Sequence, residues 1–208
     1  MMKPTRDTYL QLDKAYSHFN RALFDGALPP CVITLQRKKG AYGYFWGETW
    51  SETEGETLTD EIALNPNAFK GRMLAAVLST LVHEMCHLRQ HHFGKPSRGG
   101  YHNKEWAGFM EAVGLIPSDT GAQGGKKTGQ RMTHYIEKGG AFDKACDQLM
   151  RKGFSLPWQA LTRDEDMAAK KKASKTKYTC PACGLNAWAK PDVHLKCGDC
   201  DEVLEGEA

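Results

Sequence analysis

The chain has 208 residues, 40% of them hydrophobic, and a formal net charge of +3, which fits one ordinary domain with a small appendage. No stretch reaches the uninterrupted apolar length that a bilayer span requires, and Met1 to Asp7 leads into polar sequence rather than an apolar secretory segment. These features argue against a membrane protein, and a cytoplasmic one is expected.

An opening helix is predicted from about Thr8 to Phe24. Leu12, Ala15, Tyr16, Phe19 and Leu23 recur at helical spacing, and Asp25-Gly26 followed by Pro29-Pro30 stops it. Val32 to Gln36, the aromatic-rich Tyr42 to Trp50, and Glu56 to Leu64 read as strands of a small, mostly antiparallel sheet, with the acidic stretch Glu48 to Glu56 as a solvated hairpin turn. A long helix from about Phe69 to His92 ends at Gly94 and Pro96. The glycine-rich loop Ser97 to Gly100 then leads to a shorter helix, Asn103 to Val113. Residues 118–130 show no periodicity and read as a mobile loop. Phe142, Ala145, Cys146, Leu149 and Met150 mark one more amphipathic helix, broken at Gly153. The fold class is α+β, divided into a first domain 1–162, a basic linker 163–177 and a terminal module 178–208.

The cysteines describe the terminal module. Cys180-x-x-Cys183 and Cys197-x-x-Cys200 have the spacing of thiolate zinc ligands rather than of a disulfide framework. A zinc ribbon with four cysteine ligands in a tetrahedral arrangement is expected, with Gly184 and Gly198 allowing tight turns. So short a module buries little surface, so the ion should supply most of its folding free energy. Cys31, Cys86 and Cys146 are read as small buried or half-buried hydrophobes.

The long helix carries the chemistry. His83-Glu84-Met85-Cys86-His87 puts two imidazoles one turn apart on one face, where they can grip one metal ion, and Glu84 beside a water that the ion acidifies. The apolar flank Met73 to Leu78 with Leu81-Val82 argues against a chance surface motif. A buried helix would otherwise desolvate two histidines and a glutamate without partners. A catalytic zinc keeps three protein ligands and an open position, so a third ligand is needed. His91 lies about 12 Å from His83 along a straight helix, too far for a shared ion. His102, after the chain break at Gly94 to Gly100, is the favoured third ligand, with Glu105, Glu111 and His134 as alternatives. Glu84 is assigned as general base, and two zinc ions per chain are expected, one catalytic and one structural.

Four segments together resemble the SprT-like metalloprotease family. They are Phe19 to Phe24 with Leu28-Pro29, then Ala41-Tyr42-Gly43, then His83 to His87, and lastly Tyr101 to Trp106. The resemblance implies a zincin-like metalloprotease domain and a third zinc ligand at the start of the helix after HExxH, the position of His102. In the family a glycine usually follows that histidine, where this chain has Asn103. For characterised relatives the resemblance also implies cleavage of proteins held on DNA, and many members end in a zinc ribbon. Zincins hold an extended substrate against a sheet edge, here a role for Tyr42 to Trp50. Tyr135 is a candidate oxyanion donor.

Charge distribution makes DNA a candidate partner beside a protein substrate. Residues 86–152 carry eleven basic and six acidic side chains, and Lys170, Lys171, Lys172, Lys175 and Lys177 form a run with no acid among them. In the ribbon, Tyr178, Trp188 and His194 are candidates for stacking on bases, against six carboxylates that disfavour phosphate. The leading reading is a zinc-dependent endopeptidase. The alternatives are a DNA-associated binding or regulatory protein with little turnover, and a zinc hydrolase of a small amide. Glu84 favours the enzyme, since holding zinc does not require that carboxylate.

Overall fold

A computed structural model describes residues 3–160 and 175–207. The chain divides into two compact units, Met1–Leu161 and Thr162–Ala208. No helix among the described residues is long and apolar enough to cross a membrane.

The first unit opens with α1 (Pro4–Leu23), which buries Leu12, Ala15, Tyr16 and Phe19 along one face. Its end explains the first of the four resembling segments. The backbone N–H groups of Phe24 and Gly26 both donate to Asn20 O, while Asp25 and Gly26 take left-handed φ of 55° and 74°. The Asn20 side chain then pinches Leu28, donating to its carbonyl (3.0 Å) and accepting from its N–H (3.1 Å). The Tyr16 hydroxyl donates to Pro29 O.

Strands β1 (Val32–Leu35), β2 (Gly43–Ser51) and β3 (Leu58–Leu64) form a sheet in the order β1-β3-β2. The β2–β3 pair is antiparallel, but β1 and β3 run parallel, so the sheet is mixed rather than mostly antiparallel. The cause is topological. Residues 36–42 reverse the chain before β2, and β3 returns between its two predecessors in the direction of β1. As the central strand, β3 is buried from Asp60 to Leu64. Strand β2 is left at an edge and persists through Ser51, so the turn is tighter than the acidic stretch suggested, closed by Glu52 N–H donating to Thr57 O. Its register shifts between Trp46 and Trp50, where Glu48 has φ of 50°. Asn65, just after β3, donates to Lys38 O and Ala41 O and so fixes the loop leading into β2.

Helix α2 (Leu74–Phe93) is the centre of the unit and packs against β2, β3, α1, α3 and α4. Gly71, at φ 75°, and the extended Met73 delay its start relative to the sequence expectation. Two further helices, α3 (Lys104–Ala112) and α4 (Ala141–Arg151), follow. The α4 helix packs on α1 through stacked Phe19 and Phe142 rings 5.4 Å apart. Asn103 caps α3, accepting from Trp106 N–H (2.9 Å). The same oxygen accepts from Gln90 of α2 (2.8 Å), and the Asn103 amide donates to Lys95 O (3.1 Å). The residue that departs from the family pattern thus does three jobs that a glycine side chain cannot.

A second sheet pairs β4 (Leu115–Ser118) with β5 (Thr133–Ile136), antiparallel. Apolar patterning does not foretell it, and the segment between the strands is irregular, as expected of a loop. Its polar groups bond internally: Asp119 N–H to Lys126 O, Lys126 N–H to Asp119 Oδ1, and Ser118 Oγ to Ala122 O. Gly129 exchanges two backbone hydrogen bonds with His102.

The second unit is a three-stranded antiparallel sheet of β6 (Thr176–Thr179), β7 (Asn186–Ala189) and β8 (Glu205–Gly206), in the order β7-β6-β8. Its core is Tyr178, Cys180, Cys197 and Leu204. Tyr178 is buried, donates to Lys190 O and accepts from Val193 N–H, so it is not free to stack on a base.

Replacing Asn103 tests its place in the first unit. Asn103→Ala should cost about 1 kcal/mol for the lost cap and more for removing one of the two acceptors of the buried Gln90 amide, while Asn103→Gly should cost less because glycine tolerates the cap position. Urea unfolding of the full chain reads both. An unfolding midpoint of Asn103→Ala equal to that of wild type would remove Asn103 as the joint between α2 and α3.

Candidate metal centres

His83 and His87 lie one turn apart on α2, with ring centroids 5.3 Å apart. His102 completes a triangle, 5.5 Å from His83 and 4.8 Å from His87. One donor nitrogen from each of the three lies within 4.8 Å of the others. Trp106, fully buried, packs against all three rings and stacks on His87 at an interplanar angle of 20°. The other candidate ligands are engaged elsewhere. Glu105 accepts from Gln90 and from Lys95 N–H, Glu111 pairs with Lys127 at 2.6 Å, and His91 turns toward Asp60.

His134 reaches the cluster in a way the sequence did not reveal. Its Nδ1 lies 3.2 Å from His83 Nδ1, and its Nε2 lies 2.9 Å from Ser79 Oγ. Ser79 donates its proton to Ala76 O (3.1 Å), so its oxygen accepts from His134 Nε2–H. His134 Nδ1 is then the acceptor for His83 Nδ1–H, which leaves the Nε2 lone pair of His83 free. His102 obeys the same logic, since its Nδ1–H donates to Gly129 O at 3.2 Å. Such hydrogen bonds to the far nitrogen fix the tautomer of a metal-ligating histidine.

Burial keeps these rings neutral, the form that binds a metal. Desolvation lowers His87 to about 3 and His134 to about 4, and it lowers His102 and, strongly, His83, with neighbouring rings adding to the effect at His83 and His87. Glu84 is 5% exposed, and desolvation pushes its carboxyl up to about 8 against the pull of Lys38. Gly43 makes room for it. A Cβ there would stand 2.9 Å from Ala63 O and 3.1 Å from Glu84 Oε1. The three histidines and Glu84 open into a cleft of about 860 Å³, walled by Gly43 to Phe45 of β2, by the loop Pro96 to His102, and by Gln130 to His134. The side chain that β5 turns toward the cluster is His134, and Tyr135 is not among the residues lining the cleft.

Residues 12–125 match the SprT-like family, which is more than half of the chain. The chain belongs to the SprT-like family. A relative from Salmonella typhimurium, described as an uncharacterized protein in mucB 3'region, is 48% identical over 59 residues, covering 28% of this chain and 80% of that protein. The SprT-like match runs from within α1 through β4 and includes every residue of the three-histidine cluster.

Beyond the matched region, the sulfur atoms of Cys180, Cys183, Cys197 and Cys200 lie within 4.8 Å of one another. The backbone N–H groups of Cys183 and Ala182 pull the Cys180 thiol down to about 7, while its neighbours push Cys200 up to about 12. Four cysteine sulfurs this close could hold a metal ion, and the donor set fits zinc. Gly184 takes the left-handed turn after the first knuckle (φ 74°). In the second, Asp201 does so (φ 58°), not Gly198. Of the basic run, Lys170, Lys171 and Lys172 lie outside the described residues. Lys177 pairs with Glu207 at 2.6 Å, and Lys175 is exposed.

The buried histidines predict an acid-labile metal-free fold. Below their ordinary value of 6.5 they take up protons in the unfolded chain but not in the folded one, so stability falls as pH drops from 6.5 toward about 4. Glu84, raised from 4.5 to about 8, acts in the opposite sense between those values, one group against four. With excess chelator, amide protection factors across α2, corrected for the intrinsic pH dependence of exchange, should therefore be lower at pH 5 than at pH 6.5. Equal protection at both would mean that the rings are not buried in their neutral form.

Proposed function

We propose that this chain is a zinc-dependent endopeptidase, with His83, His87 and His102 holding the catalytic zinc, Glu84 as general base, and the four ribbon cysteines holding a second, structural zinc. The observation that carries the reading is a buried carboxylate set beside three neutral imidazoles at the floor of an open cleft. Family membership and the metal-binding clusters support a zinc peptidase in general terms. Zinc bound there would supply Lewis acidity to a carbonyl and to water.

The protein's own groups account for the rest. The raised basicity of Glu84 suits it to take a proton from the attacking water and return it to the leaving amine. Strand β2 lies at a sheet edge with Gly43 to Phe45 in the cleft, and an extended peptide can pair with that edge. Ser79 and His134 act as positioning residues, holding His83 in one tautomer. A scaffold without turnover has no use for a glutamate desolvated beside the imidazoles, which favours the enzyme over a binding protein. Proteins held on DNA are the substrate class that the family resemblance and the lysine run suggest.

Glu84→Gln should keep zinc content near wild type and lower peptide hydrolysis by at least about 10²-fold, the scale of a lost general base. His102→Ala should lose one of about two zinc ions in protein purified without added metal. Activity of Glu84→Gln within a few-fold of wild type, or unchanged zinc in His102→Ala, would sink these assignments. Casein and a DNA-binding protein, each tested with and without DNA, separate a general peptidase from one acting on DNA-bound protein.

Substitutions at His134 test the positioning role. His134→Ala should weaken zinc retention by about 10- to 100-fold without removing a ligand, and His134→Gln, which can still accept from His83, should recover part of it. Competition with a chromophoric chelator measures both. Identical zinc affinity in wild type and His134→Ala would leave His134 as packing only.

A further inference from the structure

One turn beyond His87, at the C-terminal end of α2, His91 and His92 meet Asp60 of β3 rather than the three-histidine cluster. Asp60 is 2% exposed. Its Oδ2 lies 2.7 Å from His92 Nε2, and its Oδ1 lies 3.9 Å from His91 Nε2. The two rings stand 5.0 Å apart and nearly perpendicular, and one donor atom from each of the three residues lies within 4.8 Å of the others.

The sheet is shaped around this group. At the irregularity in β2, Glu48 turns its N–H onto Asp60 Oδ1 (2.9 Å). Gly47 leaves room for the His91 imidazole, since a Cβ there would fall 2.6 Å from the ring. Phe45 closes the other side of His91, with ring centroids 5.6 Å apart. A hydrogen-bonded pair of His92 and Asp60 would account for one histidine. It leaves unexplained the second, which aims its Nε2 at the same carboxylate from beyond hydrogen-bond length. Both histidine side chains are about a third exposed, at 32% and 33%, so solution has access to the group.

We propose that Asp60, His91 and His92 form a third metal site, for a divalent transition ion of the zinc class. Two imidazoles and a carboxylate suit Zn²⁺, Co²⁺ or Ni²⁺. Ligand atoms at about 2.0–2.1 Å from a tetrahedral ion stand about 3.3 Å from one another, between the two separations found here. Binding at His92 Nε2 displaces its hydrogen bond to Asp60, with the ring proton carried on Nδ1 instead, and the site needs both imidazoles neutral and the carboxylate ionised. That competing hydrogen bond and the partial exposure make the site weaker than the other two, and it fills only when metal is added. An ion there bolts α2 to β3 and, through Glu48 N–H, to the bulge of β2, whose neighbouring residues wall the cleft. The site is independent of the peptidase reading.

Cobalt titration of the zinc-loaded full chain tests this, with visible absorption and elemental analysis as readouts. Wild type should take up one further equivalent, which Asp60→Asn and the double variant His91→Gln/His92→Gln should not. His92→Gln alone should weaken uptake at least tenfold. The same difference should persist in a His102→Ala background, which separates this site from the three-histidine centre. If Asp60→Asn fails to fold, the double variant, altered only at partly exposed side chains, decides the matter. No additional equivalent in wild type, or equal uptake by wild type and the double variant, overturns the proposal and leaves His92 and Asp60 as a pair that fastens helix to sheet.

Discussion

The first unit depends on how α2 accommodates His83, Glu84 and His87. Around them the helix is core: Leu78, Leu81, Val82, Met85 and Leu88 are all buried. Polar groups carried into such a place are costly unless they find partners. The partners arrive from three separate parts of the chain. His102 comes from the bridge to Gly129, His134 from β5, and Trp106 from the first turn of α3. Each is held by its own backbone hydrogen bonds or cap, so the imidazoles meet a frame already fixed. The order of hydrogen bonds from Ala76 through Ser79 and His134 to His83 gives that frame a direction.

The two units relate to metal in different ways. The first has an apolar core of its own, drawn from all four of its helices, and its histidines sit at the edge of that core. Among its described residues the second has four in its buried core, two of which are cysteines of the cluster. A few apolar side chains cannot offset the conformational entropy of ordering such a segment. On the proposed reading, metal would serve chemistry in the first unit and folding in the second.

What the sequence disclosed was local. Helices α1, α2 and α4 follow from apolar spacing, and their ends from glycine and proline. The histidine pair and His102 follow from a spacing of four and a chain break. What it concealed was long-range. The β4–β5 pair consists of strands of four residues, one containing Pro117, joined by a segment whose order comes from side-chain hydrogen bonds. No periodicity announces such a pair, so His134, which it delivers 51 positions from His83, stayed hidden among the weaker candidates. Parallel pairing of β1 with β3 is likewise a fact of topology. Asp60 did leave a trace: a carboxylate at the head of the run Ile62-Ala63-Leu64, in a chain that also carries adjacent histidines at a helix end, is a pairing worth seeking.

The open edge of β2 has a consequence for how the protein behaves at high concentration. An edge strand with unpaired backbone groups accepts any strand, including the same strand of another copy. Trp46 and Trp50 stand exposed on it, with Tyr42 just before it, which would make such self-pairing adhesive. The kink at Glu48 interrupts the straight run of donors and acceptors, and Glu52, Glu54 and Glu56 crowd like charge around the hairpin that follows. The kink and the acidic hairpin thereby work against self-pairing: two copies aligned in parallel would bring the same charges together, while a short peptide lying along Gly43 to Phe45 would stop before them.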